Sequence, residues 1–405
     1  MLRTILGKPG TGKTEYIRNC VAKAARDGIR TYLIVPEQFS FESERALSRR
    51  LGEEAFERVE VLSFTSLCNR IFREYGGLAG NYLSGGGKYI LMDLAIEQMR
   101  EQMKVYARQA YSPAFTQSLC RTVSQLKTAG ISPKQLVEQA DALEDELLLQ
   151  KTQEIGTIYG MYEALLERGF ADPDDDLTRA EELLKDHPFF EGMAVYFDAF
   201  DGFTGQEYRI IRRVFEQADE VGFSLCVDKP EDDEHGMGIF SAGKRTLMRL
   251  MSLAREAGMQ AAPPVVLKEL HRAKTEGMRQ VVEGMFTPSA EAGGEELEEV
   301  RAASAKDPYE EMEYVASEIE RLVREQGYRY REIAMITRGA SGYFPMVRAA
   351  FLKRGIPVFL DERRKVDAKP LFQFCSSALK IACMNFAGED VLRLLKTGLI
   401  AMEPE

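Results

Sequence analysis

Gly7-Lys8-Pro9-Gly10-Thr11-Gly12-Lys13-Thr14 matches the phosphate-binding pattern G-x-x-x-x-G-K-[ST] at every fixed position. Such a loop needs glycines because its backbone N–H groups turn inward around an anion, and a Cβ would obstruct that path. On that pattern Lys13 reaches the β- and γ-phosphates and the Thr14 hydroxyl ligates Mg²⁺. The following helix points its positive N-terminal end at the same anion. The flanks agree. Leu2 to Leu6 is apolar enough for a short buried strand, and Ile17, Cys20, Val21, Ala24 and Ala25 share one helical face ahead of a stop at Gly28.

Outward from the loop, Thr31-Tyr32-Leu33-Ile34-Val35 is a β-branched, apolar run suited to a central parallel strand. Pro36-Glu37-Gln38 ends it, Ser40 to Leu51 reads as a helix, and Val59-Glu60-Val61-Leu62 is a third strand closed by Ser63-Phe64-Thr65. The next helix carries Leu67, Ile71 and Phe72. Strands and helices alternating at this spacing predict an α/β fold with a doubly wound parallel sheet of the P-loop NTPase kind.

The pattern then changes. Gly76-Gly77 and Ser84-Gly85-Gly86-Gly87 bracket a junction, and from Tyr89 to about Lys185 every periodic segment is helical: 89–105, 113–127, 133–143, 147–166 and 177–184. Ser132 before Pro133 is a helix-start signal. The sheet resumes at Met193-Ala194-Val195-Tyr196-Phe197, which ends on Asp198, and continues after a helix at 206–217 with a strand from Glu220 to Val227. Thr287 to Glu299, rich in Glu, Gly and Ala, reads as a solvated linker. A helix (308–325), a strand (Ile333–Thr337) and a helix (343–354) then begin a second α/β unit that reads as truncated at Glu405. The expected division is a sheet domain from 1–84 and 190–286, a helical insertion at 85–189, a linker at 287–299 and a partial second α/β domain at 300–405.

A length of 405 residues suits two or three domains. Hydrophobic content of 45% and charged content of 29% are those of an ordinary soluble globular protein. No apolar run reaches the ~18 residues of a membrane span, and the chain enters a strand without a signal peptide, so a cytoplasmic location is expected. The six cysteines (Cys20, Cys68, Cys120, Cys226, Cys375, Cys383) are scattered without a CxxC pair, which predicts reduced, mostly buried thiols and supports neither zinc nor an iron–sulfur cluster. His187, His235 and His271 are isolated from one another, against metal or histidine-based catalysis. A net charge of −11 does not advertise a nucleic-acid binder, yet a local groove can be basic on an acidic protein.

A phosphate-binding loop also needs a carboxylate at the end of a neighbouring strand to hold Mg²⁺. Asp198 is the candidate, and Asp201 is a weaker alternative; an Asp after a strand also forms turns.

Several segments occur together in one family: the loop itself, Val35-Pro36-Glu37-Gln38-Phe39-Ser40-Phe41-Glu42-Ser43-Glu44, Leu62-Ser63-Phe64-Thr65, Tyr196-Phe197-Asp198-Ala199-Phe200-Asp201-Gly202-Phe203-Thr204 and Ile333-Ala334-Met335-Ile336-Thr337-Arg338. Over nearly its whole length the chain resembles the N-terminal part of AddB, the B subunit of bacterial AddAB-type ATP-dependent helicase/deoxyribonucleases, with RexB-like proteins as relatives. The resemblance implies ATP and Mg²⁺ as cofactors, and an AddA-type helicase–nuclease subunit and DNA as partners. It further implies a part in processing DNA double-strand breaks for recombinational repair and in recognising a regulatory DNA sequence. Family members are longer and end in a nuclease domain with an iron–sulfur cluster. That region lies outside this sequence, so neither nuclease activity nor iron is expected of it.

The family resembles the superfamily 1 helicases of UvrD/PcrA type, which implies roles residue by residue. Asp198 matches the Asp of their magnesium-and-water motif, but Ala199 stands where that motif carries the Glu that positions the attacking water. A methyl group can neither accept a proton nor orient a water. Cys226-Val227-Asp228-Lys229 offers no match to the γ-phosphate-sensing Gln of the next motif. Arg338 falls where the second motor domain supplies a γ-phosphate arginine, and equally reads as an exposed Arg after a strand. Ser63-Phe64-Thr65 matches a loop lying along single-stranded DNA, with Phe64 either stacked on a base or packed in the core. Arg121, Lys127 and Lys134 are basic positions of the insertion, with acidic residues interleaved.

The expected site is therefore Gly7, Lys8, Pro9, Gly10, Thr11, Gly12, Lys13, Thr14, Asp198 and Arg338 for the nucleotide, Thr14 and Asp198 for Mg²⁺, and Phe64 and Thr65 toward DNA. ATP hydrolysis is expected to be slow or absent. Two other readings stay open. One is a P-loop kinase or signalling ATPase, against which stands the lack of an arginine-rich lid. The other is a nucleotide-free DNA-recognition scaffold, favoured by Ala199 and opposed by the complete loop.

Overall fold

Leu2, Ile5 and Leu6 are fully buried, and they make β1 (Leu2–Gly7) a strand covered on both faces. The computed structural model describes residues 1–78, 80–228, 238–284, 300–360, 362, 366, 368–383 and 386–400, so the linker expected at 287–299 lies outside the described residues. The chain divides into two compact units, Met1–Glu299 and Val300–Glu405.

In the first unit β1 runs through the glycine-rich loop into α1 (Lys13–Arg26), which buries Ile17, Val21, Ala22, Ala24 and Ala25 and is stopped by Gly28 at φ +83°. There follow β2 (Arg30–Ile34), α2 (Ser40–Arg50), a single-turn α3 (Glu53–Phe56), β3 (Val59–Leu62) and α4 (Phe64–Tyr75). A short β4 (Asn81–Tyr82) leads into four longer helices, α5 (Gly85–Met99), α6 (Pro113–Thr128), α7 (Pro133–Ala140) and α8 (Glu146–Leu166). β5 (Phe170–Ala171) returns to α9 (Asp176–Asp186), β6 (Met193–Phe197), α10 (Gly205–Gln217), β7 (Glu220–Cys226), α11 (Ser241–Glu256), β8 (Val265–Leu267) and α12 (Glu276–Gly284).

The main sheet has the order β3-β2-β6-β7-β1-β8, and every pairing in it is parallel. Alternate residues of each strand serve opposite faces. Leu2, Leu6, Tyr32, Ile34, Val195, Phe197 and Phe223 meet α4, α9, α10 and α11, while Ile5, Leu33, Ala194 and Tyr196 meet α1 and α2. Burial on both faces is the reason these strands read as continuous apolar runs rather than as alternation.

The helical insertion packs α5, α6 and α8 around Met92, Ile96, Leu119, Val123, Ile158 and Tyr162. Its two ends meet in a two-stranded neck, with Asn81 paired to Phe170 and Tyr82 to Ala171, a feature too short to leave a sequence pattern. α9, grouped with the insertion on sequence grounds, sends Ala180 and Leu184 into the sheet core instead. Helical periodicity shows which face is apolar and not which core receives it. α10 fastens the insertion from the side. Gly205 lies so close to the Ala129 carbonyl that a Cβ would collide with it, Gln206 Nε2 donates to the Asp174 carbonyl at 2.8 Å and to Thr178 Oγ1 at 3.0 Å, and Arg209 donates to the Gly130 carbonyl.

The second unit contains α13 (Pro308–Gln326), α14 (Ala340–Lys353), α15 (Pro370–Cys383) and α16 (Gly388–Leu395), with Met312, Ala316, Ile319, Val347, Ala350, Phe351 and Ile356 at its centre. The strand expected at Ile333–Thr337 is extended backbone without a ladder, and none of the described strands lies in this unit. Ile333 and Met335 pack toward the core while Ile336 is 95% exposed. The side chains alternate as in a strand, but a strand also needs a neighbour for its N–H and C=O groups. The six cysteines are free thiols; Cys68 is buried, whereas Cys375 and Cys383 are exposed, contrary to the expected burial. Among the described residues no helix is long and apolar enough to cross a membrane.

Candidate functional site

The loop from Gly7 to Thr14 leaves the carboxyl end of β1, where ligands of open parallel sheets collect. Gly10 and Gly12 have φ of +87° and +86°, a region that side-chain-bearing residues avoid. The tightness of the loop has a local cause. Thr11, 3% exposed, donates its hydroxyl to the Lys8 carbonyl at 2.8 Å, and a Cβ on Gly7 would strike that hydroxyl. Lys13 Nζ donates to the carbonyls of Gly7 and Lys8, both at 2.8 Å, so among the described residues its cation is tied to main-chain oxygens and not to a carboxylate. α1 has Gly12 as its N-cap, without a side-chain cap, which leaves its first N–H groups, Thr14 among them, without an intrahelical partner.

Asp198 sits at the end of β6. Its N–H donates to the Ile34 carbonyl at 3.0 Å, continuing the β2–β6 pairing by one residue, and only 3% of the residue is exposed. The Ser224 hydroxyl on β7 donates to Asp198 Oδ1 and accepts the Ala199 N–H at 3.4 Å. Ala199 is exposed and has φ +65°, in the left-handed region where a Cβ is strained. β7 separates β6 from β1, so Asp198 lies two strand spacings, roughly 10 Å, from β1. The two loops leave the same edge of the sheet.

A third segment closes this edge, and sequence reasoning missed it. After β8 the chain doubles back over the loop: the N–H of His271 donates to the Gly10 carbonyl at 2.9 Å and that of Arg272 reaches the same oxygen at 3.3 Å. The His271 ring stands 3.4 Å from where a Gly12 Cβ would be. The side chains of His271 and Arg272 are exposed beside the loop. The available signal was Val265-Val266-Leu267 after Pro263-Pro264, a composition that fits an edge strand.

Other expected residues fall elsewhere. Phe64 is 7% exposed and packed against Phe197, Phe200 and Phe203, so its ring fills the core rather than stacking on a base. Thr65 is exposed on the first turn of α4. At the same sheet edge Phe41 is 75% exposed and Phe39 38% exposed. Asp201 is exposed, and its carbonyl accepts the Thr246 hydroxyl. Arg338 is exposed in the second unit, in the turn before α14. Lys127 is no surface cation: its side chain is 1% exposed and reaches Asp175 at 2.5 Å, Glu163 at 2.8 Å and Asp172 at 3.1 Å. Lys134 is exposed.

Among the described residues no group of three or more His, Cys, Asp or Glu side chains could hold a metal alone. Thr14 and Asp198 suit Mg²⁺ in another way, since that ion takes one or two protein oxygens and completes its shell with phosphate and water.

A family model described as "ADDB, N-terminal" matches residues 4–281. The B subunit of the ATP-dependent helicase/deoxyribonuclease of Acetivibrio thermocellus is 32% identical over 412 residues, covering 100% of this chain and 36% of that protein. Its counterpart in Clostridium tetani is 30% identical over 414 residues with the same coverages. The counterpart in Caldanaerobacter subterraneus subsp. tengcongensis is 29% identical over 409 residues, covering 100% of the chain and 35% of the relative. The chain thus spans little more than a third of the length of the curated relatives it matches.

Proposed function

Because the chain belongs to the AddB N-terminal family, we propose that it is the ATP-binding, helicase-like part of a protein that processes DNA double-strand breaks for recombinational repair. In this role it works beside a helicase–nuclease partner. The single observation that carries the nucleotide part is the convergence at one sheet edge of a left-handed glycine loop, the Lys13 cation, the uncapped start of α1 and the buried carboxylate of Asp198.

The residues present fit Mg²⁺–ATP. A Cβ at Gly7 would strike the Thr11 hydroxyl and one at Gly10 would strike Arg272, so the loop keeps the tight, glycine-dependent path that lets backbone N–H groups face an anion. When bound, Mg²⁺ neutralises charge on the β- and γ-phosphates. Thr14 and Asp198 would hold the ion, Lys13 would pair with phosphate oxygens, and the α1 N–H groups would donate to them. Ala199 offers no group to orient a water, and general-base assistance is worth ~10²–10⁴-fold. Slow hydrolysis with intact binding follows. Phe41, Phe39 and Thr65, exposed on the same edge, are the proposed contacts to single-stranded DNA, where an aromatic face stacks on any base.

The test is equilibrium binding of a labelled ATP analogue with Mg²⁺, for the parent and Lys13→Ala. Charge-assisted contacts of roughly 1.5–3 kcal/mol predict at least a tenfold loss, and an unchanged Kd in the variant refutes the assignment. Single-turnover hydrolysis with single-stranded DNA should fall well below the ~10 s⁻¹ of an ordinary enzyme.

A further inference from the structure

Ser224 is a buried hydroxyl on β7, 5% exposed between the apolar Phe223 and Leu225, on the strand that separates β1 from β6. Its register pairs it with Ile5, two residues before Gly7, and Phe223 with Phe197, which brings Ser224 beside Asp198. A hydroxyl at such a depth is costly unless hydrogen-bonded. Both of its bonds go to one turn: it donates to Asp198 Oδ1 and accepts from the Ala199 N–H.

We propose that Ser224 is a positioning residue for a divalent cation at the nucleotide site, holding one oxygen of the Asp198 carboxylate so that the other stays free for the metal. The inference rests on the reading of this edge as a Mg²⁺–nucleotide site. The terminal torsion of an Asp side chain is broad and roughly two-fold, so a lone carboxylate does not present one oxygen in one direction. A single donor from the neighbouring strand removes that freedom. The same hydroxyl anchors Ala199 in its left-handed conformation, so the carboxylate and the turn that carries it are fixed by one atom.

A purely structural hydroxyl stabilises the fold alike with or without metal. A positioning hydroxyl acts on the metal-dependent part of nucleotide affinity. The experiment measures Kd for a fluorescent ATP analogue in Mg²⁺ and in EDTA, for the parent, Ser224→Ala, Ser224→Thr and Lys13→Ala. Ser224→Ala should lose roughly three- to tenfold of the affinity gained on adding Mg²⁺, with little change in EDTA, and Ser224→Thr should restore it by returning the donor. A Ser224→Ala protein with the full Mg²⁺ gain, or with the same loss in EDTA, overturns the proposal. Lys13→Ala binding like the parent overturns the nucleotide site itself, which separates the two failures. Should Ser224→Ala fail to fold by circular dichroism, Ser224→Cys takes its place under the same expectation, since a thiol keeps most of the volume with only a weak donor.

Discussion

The main-chain N–H of His271 donates to the carbonyl of Gly10 at 2.9 Å, so the loop between β1 and α1 is closed from outside by the segment after β8. Two parts of the chain that are remote in sequence thus share one carbonyl. Gly10 meets both demands of this closure. Its φ is +87°, and a Cβ there would stand 2.9 Å from that of Arg272. Gly10→Ala should lower stability by at least ~1–2 kcal/mol through the left-handed backbone alone, and should weaken ATP binding as the segment is pushed away. A urea midpoint matching the parent's would contradict this.

Ala199 is strained where it stands, at φ +65°. Ala199→Gly should raise stability by roughly 0.5–1 kcal/mol, since glycine removes the Cβ conflict while adding some freedom to the unfolded chain. Denaturant titration of the two proteins decides it; a destabilised variant would mean that the methyl group contributes packing the strain argument ignores.

The Lys127 side chain is 1% exposed and sits among Asp172, Asp175 and Glu163, with Tyr162 also donating to Asp172. Lys127→Met should cost roughly 3–5 kcal/mol, because Asp175 and Glu163 lose their cation and the buried Asp172 keeps only Lys88 as a cation. Lys134→Met serves as the contrast. That side chain is 85% exposed with one partner at 3.7 Å, and its loss should stay within ~0.5 kcal/mol. Equal thermal shifts for the two variants would refute the distinction.

Stability should fall under alkaline conditions. Burial, with Glu60 adding, pushes Tyr32 from 10.0 up to about 12. Burial alone would lower Lys127, but Asp175, Glu163 and Asp172 raise it above 10.5. Both folded values exceed the unfolded ones. Their contribution is therefore fully present below about pH 10, and that of Tyr32 is lost as pH rises from 10 to about 12. Melting temperatures across that window, with tyrosinate absorbance as a second probe, should show a decline that begins near pH 10; a flat profile would be incompatible.

Where local pattern and burial coincide, the sequence was readable. Thr31–Val35 and Met193–Phe197 are buried on both faces and so read as near-continuous apolar runs. Lys13 and Asp198 could be singled out as candidates because the first belongs to a fixed motif and the second ends such a strand. β8 escaped notice because three residues after two prolines carry too little periodicity. Phe64 was ambiguous because a core aromatic and a stacking aromatic share one composition. Ser224 and Arg272 had no local mark at all. Their positions are set by strand order, which brings β7 and β8 to flank β1 and no short window of sequence encodes.

The stretch 199–204 joins Asp198 to α10 and is itself stiff. Phe200 and Phe203 lie 4.9 Å apart, and both rings pack on Phe64. Gly205, Gln206 and Arg209 at its far end bear on the turn after α6 and on the segment 174–178 that follows the neck. The helical insertion therefore stands on a tripod: two legs are the paired strands of the neck, and the third is α10. A body on two legs swings as a flap, whereas one on three transmits torque. The turn that carries Asp198 is thereby joined, through the start of α10, to the end of α6.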